Sequence, residues 1–349
     1  MPIRKRPLEA RGQVSGSSGG VGATSYDVAR HAGVSQSAVS RAFRKGESVA
    51  PRTRERIMES AKALGYQPNA IARGLITRRS NLVAIIISNL TNLYYPEVLA
   101  ELTQRLSAQG IRVLLFSLAA ESDVDEVLGQ VWPYRVDGAI VAARLNDDQL
   151  RGFADRGIPL VLYNRVGEAS PVSNVCCDSK SGVRELVEGL FGAGHMFFGI
   201  IAGPADSYVG EERVGAAIQL LEAKRRTPYF VRGNFDYDSG DEGLKHLLRM
   251  TQGKLDALIC ANDLMAIGAI DSARASGIDV PGQLSIVGFD GVGPATWHAY
   301  QLTTIRQPVR RMAEAAVSML VERINDPGLI PEQRLFGGQF LPGRSARLS

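Results

Sequence analysis

Three cysteines in 349 residues, Cys176, Cys177 and Cys260, are too few and wrongly spaced for a zinc site or a disulfide framework. No CxxC occurs, and two of the three are adjacent. Aromatic residues are scarce at 7%. No apolar run approaches the roughly 18–20 residues of a membrane span; the longest, Leu82–Ile87, is strand-sized. The cluster Arg4, Lys5 and Arg6 is followed by no apolar stretch, so no secretory signal is expected. Catalytic signatures are thin as well. The phosphate-binding pattern Gly-x-x-x-x-Gly-Lys is missing, and His31, His195, His246 and His298 are isolated, unsuited to an HExxH metal site. These absences lead to the expectation of a soluble, cytoplasmic protein that is not an enzyme and holds no cofactor and no metal.

What is present is an ordinary globular composition, 45% hydrophobic and 22% charged, enough for a full core in two or three domains. The net charge of +4 is unevenly spread. Residues 1–79 hold fifteen Lys and Arg against five Asp and Glu, while the other 270 residues carry a net −6. A basic head on an acidic body fits a polyanion-binding module joined to something else, or merely a solvated basic face.

Residues 1–23 combine basic charge with a Ser/Gly-rich stretch and read as a disordered arm. Residues 24–66 read as three short helices. Thr24 and Asp27 form a capping-box start, Gly33 breaks the first helix, and Ser35 caps a second over Gln36–Phe43. Pro51 begins a third through Leu64. Pro68 to Thr77 is helix-like but too short to be stable alone. From Leu82 onward, short β-branched runs alternate with amphipathic helices. Strands are expected at Leu82–Ile87, Arg112–Phe116, Gly138–Ala142, Leu160–Tyr163, Phe198–Ala202, Ala257–Cys260 and Leu284–Gly288. That texture predicts an α/β body of parallel sheets with helices on both faces, and its length suits two successive lobes.

The segment from Asp27 to Arg41 carries a helix-turn-helix signature. Gly33 lets the second helix leave steeply, small Ala29 and Ala32 allow close packing, and Val39 anchors the second helix from beneath. Its outer face then offers Gln36, Ser37, Ser40 and Arg41 to a DNA major groove. Arg suits guanine, Gln suits adenine, and Ser accepts either.

The stretches SYDVARHAGVSQSAVSRAF and VAPRTRERIMESAKALGYQPNAIARGL resemble the DNA-binding head and hinge of the lactose-repressor (LacI/GalR) family. The resemblance continues through GHMFFGIIAGP, LICANDLMAIGAI, PGQLSIVGFDG and LTTIRQP, and covers about residues 24–340. It implies a small all-α helix-turn-helix domain over 24–67, a hinge over 68–79, and a two-lobed periplasmic-binding-protein-like core over 80–349. The N-lobe would take about 80–177 and 306–340, and the C-lobe about 178–305.

By the same resemblance, Gln36, Ser37 and Arg41 read bases, while Ser25, Ser35, Ser40, Arg44, Thr53, Tyr66 and Asn69 hold phosphates. Ala72 and Leu75 enter the minor groove from a hinge that folds only on DNA, with Leu75 as the wedge; a plain core role for Leu75 stays open. Ala50 replaces a capping Ser or Thr, leaving the third helix to rely on Pro51. The implied effector site comprises Tyr94, Tyr95, Arg165, Asp178, Arg213, Phe235, Asn262 and Asp290. A buried salt bridge is the other reading for Arg213 and Asp290, a core or rim role for Tyr94, Tyr95 and Phe235, and lobe stabilisation for Arg165. The implied protein is a homodimeric transcriptional regulator, a repressor, that binds pseudopalindromic double-stranded operator DNA under control of a sugar-like effector, with no membrane partner. The competing expectations are a sugar-binding carrier without operator function, cytoplasmic or transport-associated, and a sugar-processing enzyme.

Overall fold

The computed structural model describes residues 23–43, 48–67, 79–88, 90–118, 121–167 and 171–349. Most of the expected arm and the whole hinge helix, with Arg44, Asn69, Ala72 and Leu75, lie outside the described residues. Two compact units divide the chain, Met1–Arg78 and Arg79–Ser349.

In the first unit, helix α1 spans Ser25–Ala32, α2 spans Gln36–Ala42 and α3 spans Pro51–Ala63. Local chemistry sets each boundary. Thr24 and Asp27 form the reciprocal capping box, and Gly33 closes α1 in the left-handed region at φ 62°. The Ser35 hydroxyl accepts from the Ala38 amide and starts α2. Ala50 makes no side-chain cap, so α3 starts on Pro51. Val28, Ala32, Val39, Ala42, Ile57 and Ala61 bury one small core between the three helices. An Arg54 guanidinium N–H donates to the Ala42 carbonyl and ties α3 to the end of α2.

The second unit holds two six-stranded sheets. The first contains β1 (Leu82–Ser88), β2 (Arg112–Leu118), β3 (Gly138–Ala142), β4 (Leu160–Tyr163), β5 (Ser173–Asp178) and β11 (Gln333–Gly337). Its order is β11-β5-β4-β3-β1-β2, parallel throughout. The second contains β6 (Phe198–Ala202), β7 (Tyr229–Arg232), β8 (Ala257–Cys260), β9 (Ser285–Asp290), β10 (Thr303–Arg306) and β12 (Gln339–Leu341). It runs β12-β10-β9-β8-β6-β7, with only β12 antiparallel to its neighbour.

Helices cover both faces of the first sheet, as strand β1 makes plain. Val83, Ile85 and Ile87 belong to one apolar layer, and Ala84 and Ile86 to the opposite one. Each fully buried isoleucine contributes roughly 1.5–3 kcal/mol. The chain passes between the sheets three times: after Asp178, after Arg306, and at Gly338 between β11 and β12. A side chain at Gly338 would stand 2.4 Å from an Ile305 methyl, so only glycine allows that last passage.

All seven expected strands form, with β9 shifted to Ser285–Asp290. The structure adds β5, β7, β10, β11 and β12, and three further helices, Val124–Val131, Asp147–Asp155 and Val309–Asn325. Among the described residues, no helix is long and apolar enough to cross a membrane.

Candidate nucleic-acid interface and ligand cavity

On the head, α2 turns Val39 and Ala42 inward, which leaves Ser37 and Arg41 exposed and Gln36 and Ser40 half-buried. The Gln36 amide donates weakly to the Ser25 hydroxyl at 3.4 Å, and the Ser35 and Ser37 hydroxyls are 2.9 Å apart. Ser25 and Thr53 are half-buried. Tyr66 packs edge-on against Phe43, with ring centroids 5.7 Å apart. Sequence reasoning passed over Tyr26. In the first turn of α1 it is 68% exposed, the most open large apolar side chain of the head. A tyrosine placed outside the Val28/Ala29/Ala32 stripe was the available signal.

In the second unit a small cavity lies where both sheets present their strand ends, the usual location of ligands in parallel α/β folds. Six of the eight expected effector residues line it: Tyr94, Tyr95, Arg165, Arg213, Phe235 and Asp290. Its free volume is about 20 Å³, room for roughly one water.

Asp178 and Asn262 stand outside that wall. Both sit where a strand gives way to a helix, and both cap the helix. The Asp178 carboxylate accepts from the Ser181 amide and hydroxyl, at 3.0 and 2.6 Å. Asn262 accepts from the Met265 amide and donates to the Phe235 carbonyl at 3.0 Å, so it supports the cavity through Phe235. Sequence reasoning missed Asn92, Asn164, Ser207, Val209 and Gln307, which also line the space.

Arg213 and Asp290 form the charged centre. Arg213 Nη2 lies 3.0 Å from Asp290 Oδ1, and Nη1 donates to the Ala261 carbonyl at 2.7 Å. The guanidinium also covers the Phe289 ring, 3.8 Å from its centroid. The pair is thus a buried salt bridge that also lines the cavity. Burial raises the pKa of Asp290, and the Arg213 charge opposes that shift.

A chain of amides leads from Asp290 to the other lobe. Gln307 Nε2 donates to Asp290 Oδ1 at 2.7 Å, Asn164 Nδ2 donates to Gln307 Oε1 at 2.8 Å, and the same Asn164 nitrogen reaches Tyr94 Oη at 3.1 Å. Gln307 is the first residue of the second passage between the sheets, so its side chain bridges the lobes at their hinge. Arg165, by contrast, bonds within its own lobe, to the Asn164 carbonyl at 2.9 Å and the Ser88 hydroxyl at 3.3 Å. Cys176 and Cys177 are not activated nucleophiles, because burial pushes both thiols up to about 12.

Three cavity residues have left-handed backbones: Asn164 at φ 51°, Phe235 at 62° and Asp290 at 121°. For a phenylalanine this is strain of order 1–3 kcal/mol, and such strain concentrates at functional sites. Gly203 makes room for the Phe235 ring; a Cβ there would fall 2.2 Å from it. Gly203→Ala is therefore expected to destabilise the core by about 1–3 kcal/mol and to displace Phe235 from the cavity. Urea unfolding and ligand titration of the same variant check both effects, and an unchanged midpoint would contradict the packing argument.

Comparison with known proteins places both units. Residues 24–69 match the model described as bacterial regulatory proteins, lacI family, and residues 187–346 match the periplasmic binding protein-like domain. The transcriptional regulator CelR of Thermobifida fusca is 33% identical over 309 residues, 85% of this chain and 90% of that protein. Catabolite control protein A of Priestia megaterium is 29% identical, covering 86% of this chain and 92% of that protein. Among solved structures, a CelR–cellobiose complex superposes with TM-score 0.70 at 29% identity, over 93% of this chain and 100% of that one. A lac repressor dimer bound to operator and an anti-inducer superposes with TM-score 0.83 at 24% identity, over 93% and 98% of the two chains, a likeness of fold.

Proposed function

Because the chain belongs to the LacI family of bacterial regulatory proteins, we propose that it is a transcriptional repressor, binding a pseudopalindromic operator as a homodimer and answering to a sugar-like effector held between its lobes. The supporting observation is the buried Arg213–Asp290 pair, set in a cavity whose walls come from both lobes. A carboxylate accepts from hydroxyls, a guanidinium donates to them, and aromatic faces cover the apolar side of a sugar ring.

In this reading residues 24–67 bind DNA, 68–79 form the hinge, and 80–349 sense the effector. Gln36, Ser37 and Arg41 read bases, and Leu75 with Ala72 enters the minor groove. Ser25, Ser35, Ser40, Arg44, Thr53, Tyr66 and Asn69 hold phosphates. With room for about one water, the cavity admits a sugar ring only when the lobes part, which breaks or re-forms the Asn164–Gln307–Asp290 chain. Occupancy thereby biases lobe closure, and lobe closure biases the hinge. The protein performs no chemistry on its effector.

Arg41→Ala tests the DNA half. It is expected to cost about 1–3 kcal/mol on the cognate site and to relax preference at one base pair. Selection of binding sites from random duplexes, followed by titration of the selected site, measures both. An equal loss on every duplex would reduce Arg41 to a phosphate contact.

A further inference from the structure

The small cavity shares part of its wall with a much larger space. Arg165 and Ser207 line both the inner cavity of about 20 Å³ and an outer cleft of about 760 Å³. The outer volume alone is within the range of a complete ligand pocket, about 300–1,000 Å³. On one side it is bounded by the loops that follow β3 and β4, from Arg144 and from Arg165 to Gly167. The other side is one face of the helix Tyr208–Ala223, where lining residues recur at helical spacing.

The walls of the cleft carry both signs. Arg144, Arg165 and Lys180 contribute positive charge, and Asp206 and Glu212 negative charge, while Glu211 is paired with Arg232 at 2.5 Å. A ligand with a formal charge would meet a like charge on one wall. Hydroxyl groups avoid this, because each donates to a carboxylate and accepts from a guanidinium or ammonium. Gly215 lies midway along the helix face, and a Cβ built there meets no atom within 4 Å. The helix leaves that part of its surface bare where it borders the cleft.

We propose that the outer cleft is a second sugar subsite, and that the effector is a neutral oligosaccharide of at least two units, with one unit at the Arg213–Asp290 pair and the next against the Gly215 face of the cleft. This rests on the sugar-effector reading above and specifies its chemical class. A free monosaccharide would fill only the inner position and forgo every contact of the larger space.

Isothermal titration of the full chain tests it, with glucose, galactose, mannose and xylose, the disaccharides and trisaccharides built from each, and the corresponding 6-phosphates and uronic acids. At least one neutral oligosaccharide is expected to bind ten-fold or more tightly than its constituent monosaccharide. Gly215→Leu is expected to weaken that oligosaccharide ten-fold or more while leaving the monosaccharide unchanged. Gly215→Ala, which adds one methyl, falls between the two. Leucine is a better helix former than glycine, so the variant should fold at least as well as the parent. Equal affinity for monosaccharide and oligosaccharide overturns the second subsite, as does preference for a phosphate or uronate, or parallel weakening of both ligands in Gly215→Leu. Silence from every compound overturns the sugar-effector reading itself, and this inference falls with it.

Discussion

Arg213→Ala is expected to lower the stability of the core by about 3–5 kcal/mol at pH 8 and to abolish the effector response while DNA binding persists. The guanidinium and the Asp290 carboxylate are only 4% and 2% exposed. Truncation removes the cation and leaves the anion in place, with the Gln307 and Asn92 amides as its remaining side-chain donors. An uncompensated buried charge costs far more than the intact pair contributes, since the pair's attraction is largely offset by its own desolvation. Burial already raises the Asp290 pKa, and Arg213 is the chief restraint on it. Without that restraint the folded state takes up a proton well above the unfolded carboxyl's range. Stability of the variant is then lost as pH rises through that raised value, and the deficit shrinks toward acid.

Adding Asp290→Asn to Arg213→Ala removes the stranded charge, so the double variant should recover much of the loss. Urea unfolding at pH 5.5 and pH 8 measures all three variants. A loss below about 1 kcal/mol that ignores pH would mean the pair is solvated in solution. DNA binding survives because the head buries a core of its own around Val39 and Ile57.

The head was the part most legible in the sequence, because its determinants are local. The Thr24–Asp27 box, the left-handed Gly33 and the Val39 anchor act within a few residues of one another. Strands such as Leu82–Ser88 were legible because short apolar runs rich in β-branched residues have few alternatives. By contrast β5 carries Ser173 and Asn174, both buried, and nothing local favours burying them. One of its two partners, β11, is more than 150 residues away, and no local pattern announces that pairing.

The same limit governed the cavity. Arg213, Asp290 and the aromatic residues were found, whereas Asn164 and Gln307 look like ordinary polar residues until the fold brings them 2.8 Å apart. Asp178 and Asn262 enter the expected effector site through the family resemblance alone, and a polar residue after a strand can face a ligand or cap the next helix. Spacing does not separate those roles, and here both side chains cap.

A different carboxyl should set the pH dependence of the core. Asp263 is fully buried at the first turn of the helix Asp263–Ala275. Desolvation is the largest influence on it and the Asp290 charge the next. Donation from the Thr304 hydroxyl and from the Val292 and Gly291 amides pulls the other way, and the result is a pKa of about 7. The unfolded carboxyl titrates near 3.8. Between those values the folded chain holds a proton that the unfolded chain has released. This group therefore makes stability fall as pH rises from about 4 to about 7, by roughly 1.4 kcal/mol per unit, and level off above. Carboxylates held low by a hydrogen bond, such as Asp241, impose the opposite slope at lower pH. Asp263→Asn keeps the shape and one acceptor oxygen but cannot ionise, so its stability relative to the parent should climb across that window by up to roughly 4 kcal/mol. Gly288 provides the space the carboxyl occupies, since a Cβ there would lie 2.4 Å from Asp263 Oδ1. Because the Asp290 charge raises the Asp263 pKa and that repulsion is mutual, protonation of Asp263 should tighten the Arg213 pair. Urea unfolding of parent and Asp263→Asn from pH 4.5 to 8 reads the difference directly, and parallel curves would show that Asp263 is ionised throughout.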